Sequence, residues 1–316
     1  MIDTPETTPA VADLLARARG YVEGSHAKQT LEAYAADWKH FSTWCEAYKR
    51  RSLPAAPETI ICYRVETADS YRVATLERRL ASISYHHKQA RHALPTKDPE
   101  VERTMRGIRR AKGMAPNGKA PLLPAQLRQA IAALPDTLIG KRDHAVLVIG
   151  FAGAFRRSEL VALSMEDMQT THEGLIITLR RSKTEQEGQT MVRGLPKGTS
   201  AATCPVRVLE QWVTAAKITT GPIFRPANRY GTVGTKALRG LAVPRIVKEA
   251  RTRAGIDATD DSGHSLRAGL VTAAAMAGVS ERIIMLQTGH KNIAVLRRSI
   301  REGSVFREHA AAAVGL

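Results

Sequence analysis

Three short phrases carry side chains suited to chemistry on a phosphate. They are Arg156-Arg-Ser-Glu159-Leu, His264-Ser-Leu-Arg267-Ala-Gly and Gly-His290. Breaking a phosphodiester without a metal requires fixed cations beside the non-bridging oxygens, and a guanidinium offers them a rigid fork of donors. His264 and Arg267 are three residues apart, so on a helix they share a face and reach one phosphate. Together the phrases predict a phosphoryl-transfer site.

Each of these residues also has an ordinary interpretation when taken alone. An isolated arginine is usually a surface residue, and a lone histidine is more often structural than catalytic. Lys183 falls in a polar turn between two strand-like runs, where most lysines face solvent. At a hairpin tip its ammonium could instead enter the minor groove and protonate a leaving oxygen. Glu159, three residues after Arg156, is spaced to orient that guanidinium.

The elements that must position these residues divide the chain in two. Residues 1–111 show apolar positions at helical spacing and predict an all-helical domain. Residues 112–122, rich in Gly and Pro, predict a linker that can follow a phosphate backbone. Residues 123–316 predict a mixed domain, with helices at about 125–134 and 141–153, strands at Leu175–Leu179 and Met191–Leu195, and mostly helix thereafter.

Charge indicates the partner. The 316 residues carry a net charge of +17, with a pI near 10.2, which favours a polyanion and above all nucleic acid. Three scattered cysteines indicate neither a disulfide framework nor a zinc site. We expect a cytoplasmic protein, because no signal peptide or membrane span is apparent. Candidate DNA contacts in the helical domain are Arg78, Arg79, Arg106, Arg109 and Arg110.

The order Arg156, Lys183, His264-x-x-Arg267 and Gly-His290 resembles the catalytic domain of the tyrosine recombinases, or phage integrases, of the Cre-like and Xer-like kind. The resemblance implies a mainly α fold with a small β-sheet: an all-helical core-binding domain followed by a mixed α/β catalytic domain. It also implies that the arginines and His290 support the scissile phosphate, and that Lys183 is the general acid for the 5′-hydroxyl leaving group.

The same resemblance implies a site-specific DNA recombinase that needs neither metal nor cofactor. Its partner would be double-stranded DNA with inverted-repeat half-sites. On synapsed DNA the protein would form a homotetramer, and it would be a monomer or weak oligomer when free. The Ala-rich segment 304–316 would then be an oligomerisation helix that docks into the neighbouring protomer.

The sequence departs from the family at its nucleophile. In the family a tyrosine nine residues after the Gly-His histidine attacks the phosphate and becomes a 3′-phosphotyrosyl intermediate, whereas this chain has Ser299. Serine is several ångström shorter than tyrosine and much harder to ionise. We expect the chain to bind and pair its sites without cutting them.

Several interpretations of Ser299 stay open. It could be an engineered substitution, which we favour because every other catalytic element is present, a natural inactive homologue, or a serine that attacks in a rearranged site. The competing functions are a DNA-binding regulatory or accessory protein that has lost cleavage, and a type IB topoisomerase. The Arg156-Arg-Ser-Glu159-Leu phrase and the separate helical domain look more like a recombinase.

Overall fold

The computed structural model describes residues 13–14, 17, 28–113, 121–179, 191–258 and 264–300. These residues fall into two compact units, one within 1–116 and the other within 117–316. The predicted fold class, mainly α with a small β-sheet, is confirmed. Within the described ranges, no helix has the length and apolar composition needed to cross a membrane.

Between residues 28 and 113 the N-terminal unit has four α-helices: α1 (Lys28–Ala47), α2 (Pro57–Ala68), α3 (Val73–Gln89) and α4 (Pro99–Lys112). Their apolar faces enclose a small core in which Phe41, Ile60 and Tyr63 are almost fully buried. The Asp98 side chain accepts a hydrogen bond from the amide of Glu100 at 2.8 Å and so caps α4. Acidic residues in its first turn and basic residues in its last complement the helix dipole.

The C-terminal unit begins with three helices: α5 (Pro124–Ala132), α6 (Leu138–Ala152) and α7 (Arg157–Ala162). A sheet of three strands follows: β1 (Met168–Thr170), β2 (Gly174–Leu179) and β3 (Met191–Pro196). The helices that follow in the described residues are α8 (Pro205–Ala215), α9 (Ala242–Arg253), α10 (Ser265–Met276), α11 (Glu281–Thr288) and α12 (Ile293–Ile300). Both predicted strands are confirmed, and β1 is an additional short strand.

The sheet is antiparallel, in the order β1-β2-β3, with Gly174 opposite Pro196 at one end of the β2-β3 pair. Successive residues of β3 alternate between its two faces. Arg193 and Leu195 are buried, whereas Val192 is 61% exposed. This strand therefore turns a guanidinium inward and an apolar side chain outward. The segment between β2 and β3, which carries Lys183, lies outside the described residues.

Helix α6 is the centre of the C-terminal core. Residues 145–149 are fully or almost fully buried, and the helix packs against α8 and α10. On α8 the buried Trp212 donates its indole N–H to the carbonyl of Ile223 at 2.9 Å. The one polar group of this large core side chain therefore has a hydrogen-bond partner. Because α6 is held on several sides, the turn that follows Ala152 starts from a rigid base.

Gly269, in the motif that contains Arg267, marks a close approach of backbones. A Cβ on Gly269 would lie 2.1 Å from the carbonyl oxygen of Leu122. Leu122 is itself held there, because its amide donates to the carbonyl of Ser265 at 3.1 Å. The glycine lets α10 pack directly on the segment that enters α5.

We therefore predict that Gly269→Ala destabilises the C-terminal unit by about 1–3 kcal/mol, the usual cost of overpacking. Urea unfolding followed by circular dichroism measures the loss. The matched control is Gly194→Ala on β3, where an added Cβ meets nothing within 4 Å; we expect a change within about 0.5 kcal/mol. Equal effects of the two substitutions would contradict the packing argument.

Candidate active site

The site begins at the tight turn after α6. A Cβ on Gly153 would lie 2.0 Å from the ring of Phe155, so this position requires glycine. Ala154 has φ +45°, a left-handed conformation that costs a non-glycine residue of the order of 1–3 kcal/mol. The turn aims two carbonyls at arginines: Ala154 accepts from Nη1 of Arg267 at 2.8 Å, and Gly153 accepts from Nη1 of Arg193 at 2.7 Å.

Arg156 is held by the helix that it precedes. It is the N-cap residue of α7, and Glu159 is the third helical residue. One carboxylate oxygen of Glu159 accepts the amide N–H of Arg156 at 2.9 Å, and the other accepts from its Nη1 at 2.5 Å. Because the Glu159 side chain is only 2% exposed, this pair is protected from water. A single carboxylate thus caps the helix and orients the guanidinium.

Helix α10 supplies His264 and Arg267. His264 directly precedes the first helical residue and is exposed, whereas Arg267, one turn further, is buried. Burial, and then the nearby charge of Arg156, lowers the pKa of Arg267 to about 10. The guanidinium still carries its charge at neutral pH, with Nη2 at 3.2 Å from Nε2 of His290. The start of α10 therefore presents two groups on one face, the buried guanidinium of Arg267 and the exposed imidazole of His264.

His290 follows the end of α11, where Gly289 adopts a left-handed conformation with φ +68° that favours glycine. The hydroxyl of Thr288 lies 2.6 Å from Nδ1 of His290, and Arg156 Nη2 donates to the Gly289 carbonyl at 3.4 Å. Burial, followed by the charges of Arg267, Arg156 and Arg193, lowers the pKa of His290 to about 4. At neutral pH the imidazole is uncharged and can donate one hydrogen bond.

These groups surround one pocket of about 270 Å³. Its lining residues come from four segments and are Arg156, His264, Arg267, Ala268, Val271, His290 and Val295. The structure thus brings together four of the six predicted catalytic residues and places Glu159 behind Arg156. Lys183 lies outside the described residues.

Position 299 belongs to α12, whose orientation is set by packing. Leu296 and Ile300 are buried in a cluster with Val271 of α10 and Ile284 of α11. Val295 lines the pocket, and residue 299 comes four positions later. Positions four apart share one face of a helix. The backbone therefore places position 299 one turn beyond a pocket-lining residue.

The sequence reasoning missed Arg193, which stands on β3 outside any recognised motif. Its Nη2 lies 3.4 Å from Oε2 of Glu159 and donates to the Thr288 carbonyl at 3.1 Å. Its guanidinium carbon lies 4.8 Å from the centre of the Phe155 ring. An arginine at an inward-facing position of a strand was the available signal, because a charge is rarely buried without partners.

The five predicted DNA-binding arginines differ in their surroundings. Arg79 is buried, with its guanidinium 3.8 Å from the centre of the Tyr71 ring and its Nε 3.7 Å from Asp37, so it cannot contact DNA in this arrangement. Asp37 also pairs with Arg78 at 2.7 Å. The remaining three lie on α4: Arg109 pairs with Glu77 at 2.8 Å, and Arg106 and Arg110 are exposed.

Comparison with known proteins identifies the family. Residues 121–301, more than half of the chain, match the model of the phage integrase family. The chain belongs to the phage integrase family. An integrase/recombinase xerD homolog of Selenomonas ruminantium is 41% identical over 300 residues, which cover 93% of this chain and 87% of that protein. The members of this family are the tyrosine recombinases.

Solved structures show the same fold at low sequence identity. A lambda integrase dimer bound to a COC′ core site matches with a TM-score of 0.58 at 15% identity, covering 92% of this chain and 94% of that one. A XerH site-specific recombinase bound to palindromic difH substrate, in a post-cleavage complex, matches with a TM-score of 0.56 at 13% identity. That match covers 82% of this chain and 70% of the XerH chain.

The lowered pKa of His290 predicts a pH-dependent stability. The unfolded chain, with the imidazole at its ordinary pKa of 6.5, binds a proton more readily than the folded chain at about 4. Stability therefore falls as the pH is lowered from 6.5 to 4. We predict that His290→Gln, which cannot be protonated, loses less stability than the parent over this interval.

Urea midpoints of the two proteins at pH 7 and pH 4.5 test this prediction. Burial also lowers the pKa of His144 in the same unit, so both proteins will lose some stability in acid. The difference between them isolates His290. Parallel pH dependence in the parent and the variant would show that His290 is not held neutral by its surroundings.

Proposed function

We propose that this chain is a site-specific DNA recombinase that binds paired inverted-repeat half-sites in double-stranded DNA, and that Ser299 leaves it unable to cut them. The observation that carries the proposal is the pocket, in which Arg156, His264, Arg267 and His290 converge from three segments. Three guanidiniums, including Arg193, share the single carboxylate of Glu159 in this cluster. The resulting excess of positive charge suits an anion such as a backbone phosphate.

In this proposal each group has a role. Arg156 and Arg267 hold the non-bridging oxygens of the scissile phosphate and stabilise the charge that develops there. The negative charge of the phosphate favours protonation of His290, and the imidazolium can then donate a hydrogen bond to that phosphate. His264 at the rim assists in binding or proton transfer. By the family resemblance, Lys183 protonates the 5′-oxygen as it leaves. Binding of the phosphate by the two arginines needs no nucleophile, whereas protonation of the leaving 5′-oxygen occurs only when a nucleophile attacks phosphorus.

The nucleophile is the missing part. A family tyrosine would attack the phosphorus, form a 3′-phosphotyrosyl bond and release the 5′-hydroxyl strand. Packing of Leu296 and Ile300 fixes the helix that carries position 299, so that helix would have to shift for a much shorter side chain to approach the phosphate. The serine hydroxyl is also harder to ionise than a phenol. These two deficits support a cleavage-defective chain.

The N-terminal unit supports DNA binding. We propose that it is the core-binding domain, that the linker at 112–122 joins it to the catalytic domain, and that exposed Arg106 and Arg110 on α4 contact phosphates. The net charge of +17 is consistent with an extended footprint on DNA. The XerH relative was solved on a palindromic substrate, which supports inverted-repeat half-sites for this chain.

The proposed assembly is a homotetramer on two synapsed duplexes. Residues 304–316, which lie outside the described residues, would dock into the neighbouring protomer. A suitable surface exists on α11 and α12, where Leu286 is 75% exposed and Ile283 and Ile293 are also exposed. Met285 and Gly289 line the adjoining pocket of about 630 Å³. Apolar residues of the tail, such as Val305 and Phe306, match the chemistry of this surface.

A second function, favoured by Ser299 itself, is a DNA-binding regulatory or accessory protein that keeps the scaffold and has lost cleavage. It makes the same prediction for DNA binding by the parent chain. The two functions differ in whether the site works once a tyrosine is restored, because a scaffold maintained only for binding need not keep catalytic geometry.

The deciding experiment compares this chain with Ser299→Tyr and Ser299→Phe on a library of nicked inverted-repeat duplexes. We predict that all three proteins bind and that only Ser299→Tyr forms a covalent protein–DNA complex that survives SDS. Phenylalanine supplies the ring without the hydroxyl, so it controls for packing at position 299. The nick lets the 5′-hydroxyl fragment diffuse away and so traps the covalent complex.

Each other outcome has a distinct meaning. Covalent complex formation by the parent would refute the cleavage defect. Binding without trapping by Ser299→Tyr would favour the regulatory protein. Relaxation of supercoiled DNA that lacks a selected site, after the tyrosine is restored, would favour a type IB topoisomerase.

A further inference from the structure

We propose that Arg193 is a positioning residue for strand exchange, fixing Glu159 and the Gly-His segment so that Arg156 and His290 face the same phosphate. The inference rests on the proposed function and extends it to a residue that no motif marks. Arg193 does not line the pocket, and its side chain is only 1% exposed. Any effect on the phosphate must therefore pass through other residues.

Three separate segments meet at this one guanidinium. Nη1 donates to the Gly153 carbonyl at 2.7 Å, in the turn that precedes Arg156. Nη2 donates to the Thr288 carbonyl at 3.1 Å, two residues before His290, and lies 3.4 Å from Oε2 of Glu159. The partners lie 34 to 95 residues from Arg193 in the chain. Arg193 thus links β3 to α7 and to the end of α11.

The planar fork of arginine is needed for this arrangement. Its two terminal nitrogens point in different directions and are fixed in one plane, so they satisfy acceptors on two sides at once. That plane lies against Phe155, with 4.8 Å between the guanidinium carbon and the ring centre. Lysine would keep the charge but would concentrate its donors on one nitrogen, so it could not hold both carbonyls at their present separation.

The contact with Glu159 links Arg193 to the pocket. Glu159 Oε1 pairs with Arg156, while Oε2 takes the Arg156 amide and faces Arg193. A carboxylate held on both sides has little freedom to rotate. Without Arg193, Oε2 of Glu159 loses the guanidinium that faces it, and the Gly153 carbonyl loses its hydrogen bond to β3. We expect the guanidinium of Arg156 to lose the orientation in which it faces the phosphate.

Arg193 also acts through its charge. The imidazole of His290 faces Arg267 from α10, Arg156 from the start of α7 and Arg193 from β3, and the hydroxyl of Thr288 contacts it. All three charges disfavour a proton on the ring. Loss of Arg193 should make His290 easier to protonate, whereas Arg193→Lys should largely preserve its pKa.

The test measures two quantities on the folded protein. In the present chain, NMR of labelled histidines, with His290 assigned by His290→Gln, gives the imidazole pKa in the parent, Arg193→Lys and Arg193→Met. In the Ser299→Tyr background, SDS-resistant complex formation on saturating DNA gives the cleavage rate, and titration gives the DNA affinity. Circular dichroism verifies that each variant is folded at the assay temperature.

We expect Arg193→Lys to bind DNA with an affinity within about twofold of that of the Ser299→Tyr chain, because Arg193 does not line the pocket. Its cleavage rate should fall by about 100-fold, the size expected when reacting groups shift by about 1 Å. In Arg193→Met the pKa of His290 should rise, because one of the three charges that disfavour a proton on the ring is removed. The matched control is Arg142→Lys, a buried arginine on α6 that pairs with Asp143 at 2.6 Å. It should lose stability but keep both the cleavage rate and the pKa of His290.

Cleavage by Arg193→Lys at the background rate would overturn the inference, as would an unchanged pKa of His290 in Arg193→Met. An equal loss of cleavage in Arg142→Lys would reduce Arg193 to one of many structural arginines and would also overturn it. If Ser299→Tyr forms no covalent complex, the proposed function fails, and the pKa of His290 alone then decides whether Arg193 acts on the site.

Discussion

The active-site architecture depends on the carboxylate of Glu159. It is buried between two guanidiniums, at 2.5 Å from Arg156 and 3.4 Å from Arg193, and it also accepts the amide at the start of α7. Leaving one member of a buried ionic group unpaired typically costs about 3–5 kcal/mol. The three groups therefore depend on one another: each makes the burial of the others tolerable. The carboxylate that caps α7 thus also anchors Arg156, the guanidinium that we propose binds the phosphate.

The same arrangement gives the pocket an excess of positive charge that favours an anion. One carboxylate does not neutralise three neighbouring guanidiniums. Burial, and then this excess charge, lower the pKa values of Arg267 and His290 to about 10 and about 4. An incoming phosphate would relieve the repulsion and favour proton binding by His290. The folded protein thus bears an electrostatic cost that DNA can offset. Once it is protonated beside the phosphate, His290 is a charged donor, and its hydrogen bond strengthens as negative charge develops on the substrate.

The sequence predicts those parts of this site that are encoded locally. Arg156 with Glu159, and His264 with Arg267, lie within single helical turns, so spacing alone places each pair together. The strand-like runs at Leu175–Leu179 and Met191–Leu195 predict β2 and β3. Arg193 could not be found in the same way, because its partners are 34 to 95 residues distant in the chain. Arg79 illustrates the converse: a run of basic residues indicates a DNA-binding face, but only packing shows that this side chain is directed at Tyr71 and Asp37.

The central claim is that the pocket is a working phosphoryl-transfer site that lacks only its nucleophile. The rejoining half of the reaction tests this claim in the chain as it stands, since a DNA strand ending in a 3′-p-nitrophenyl phosphate replaces the phosphotyrosyl bond. The 5′-hydroxyl of the adjoining strand attacks phosphorus, the aryl oxide leaves, and a 3′–5′ phosphodiester forms, with no role for Ser299.

The measurement is nitrophenol release together with the joined strand, on a half-site duplex that the chain selects from a random library. The account predicts catalysed joining by the parent chain and a loss of about 100-fold or more in Arg267→Ala, the size expected when a group that stabilises the transition-state charge is removed. Joining no faster than in the absence of protein, on DNA shown to be bound, would contradict the account.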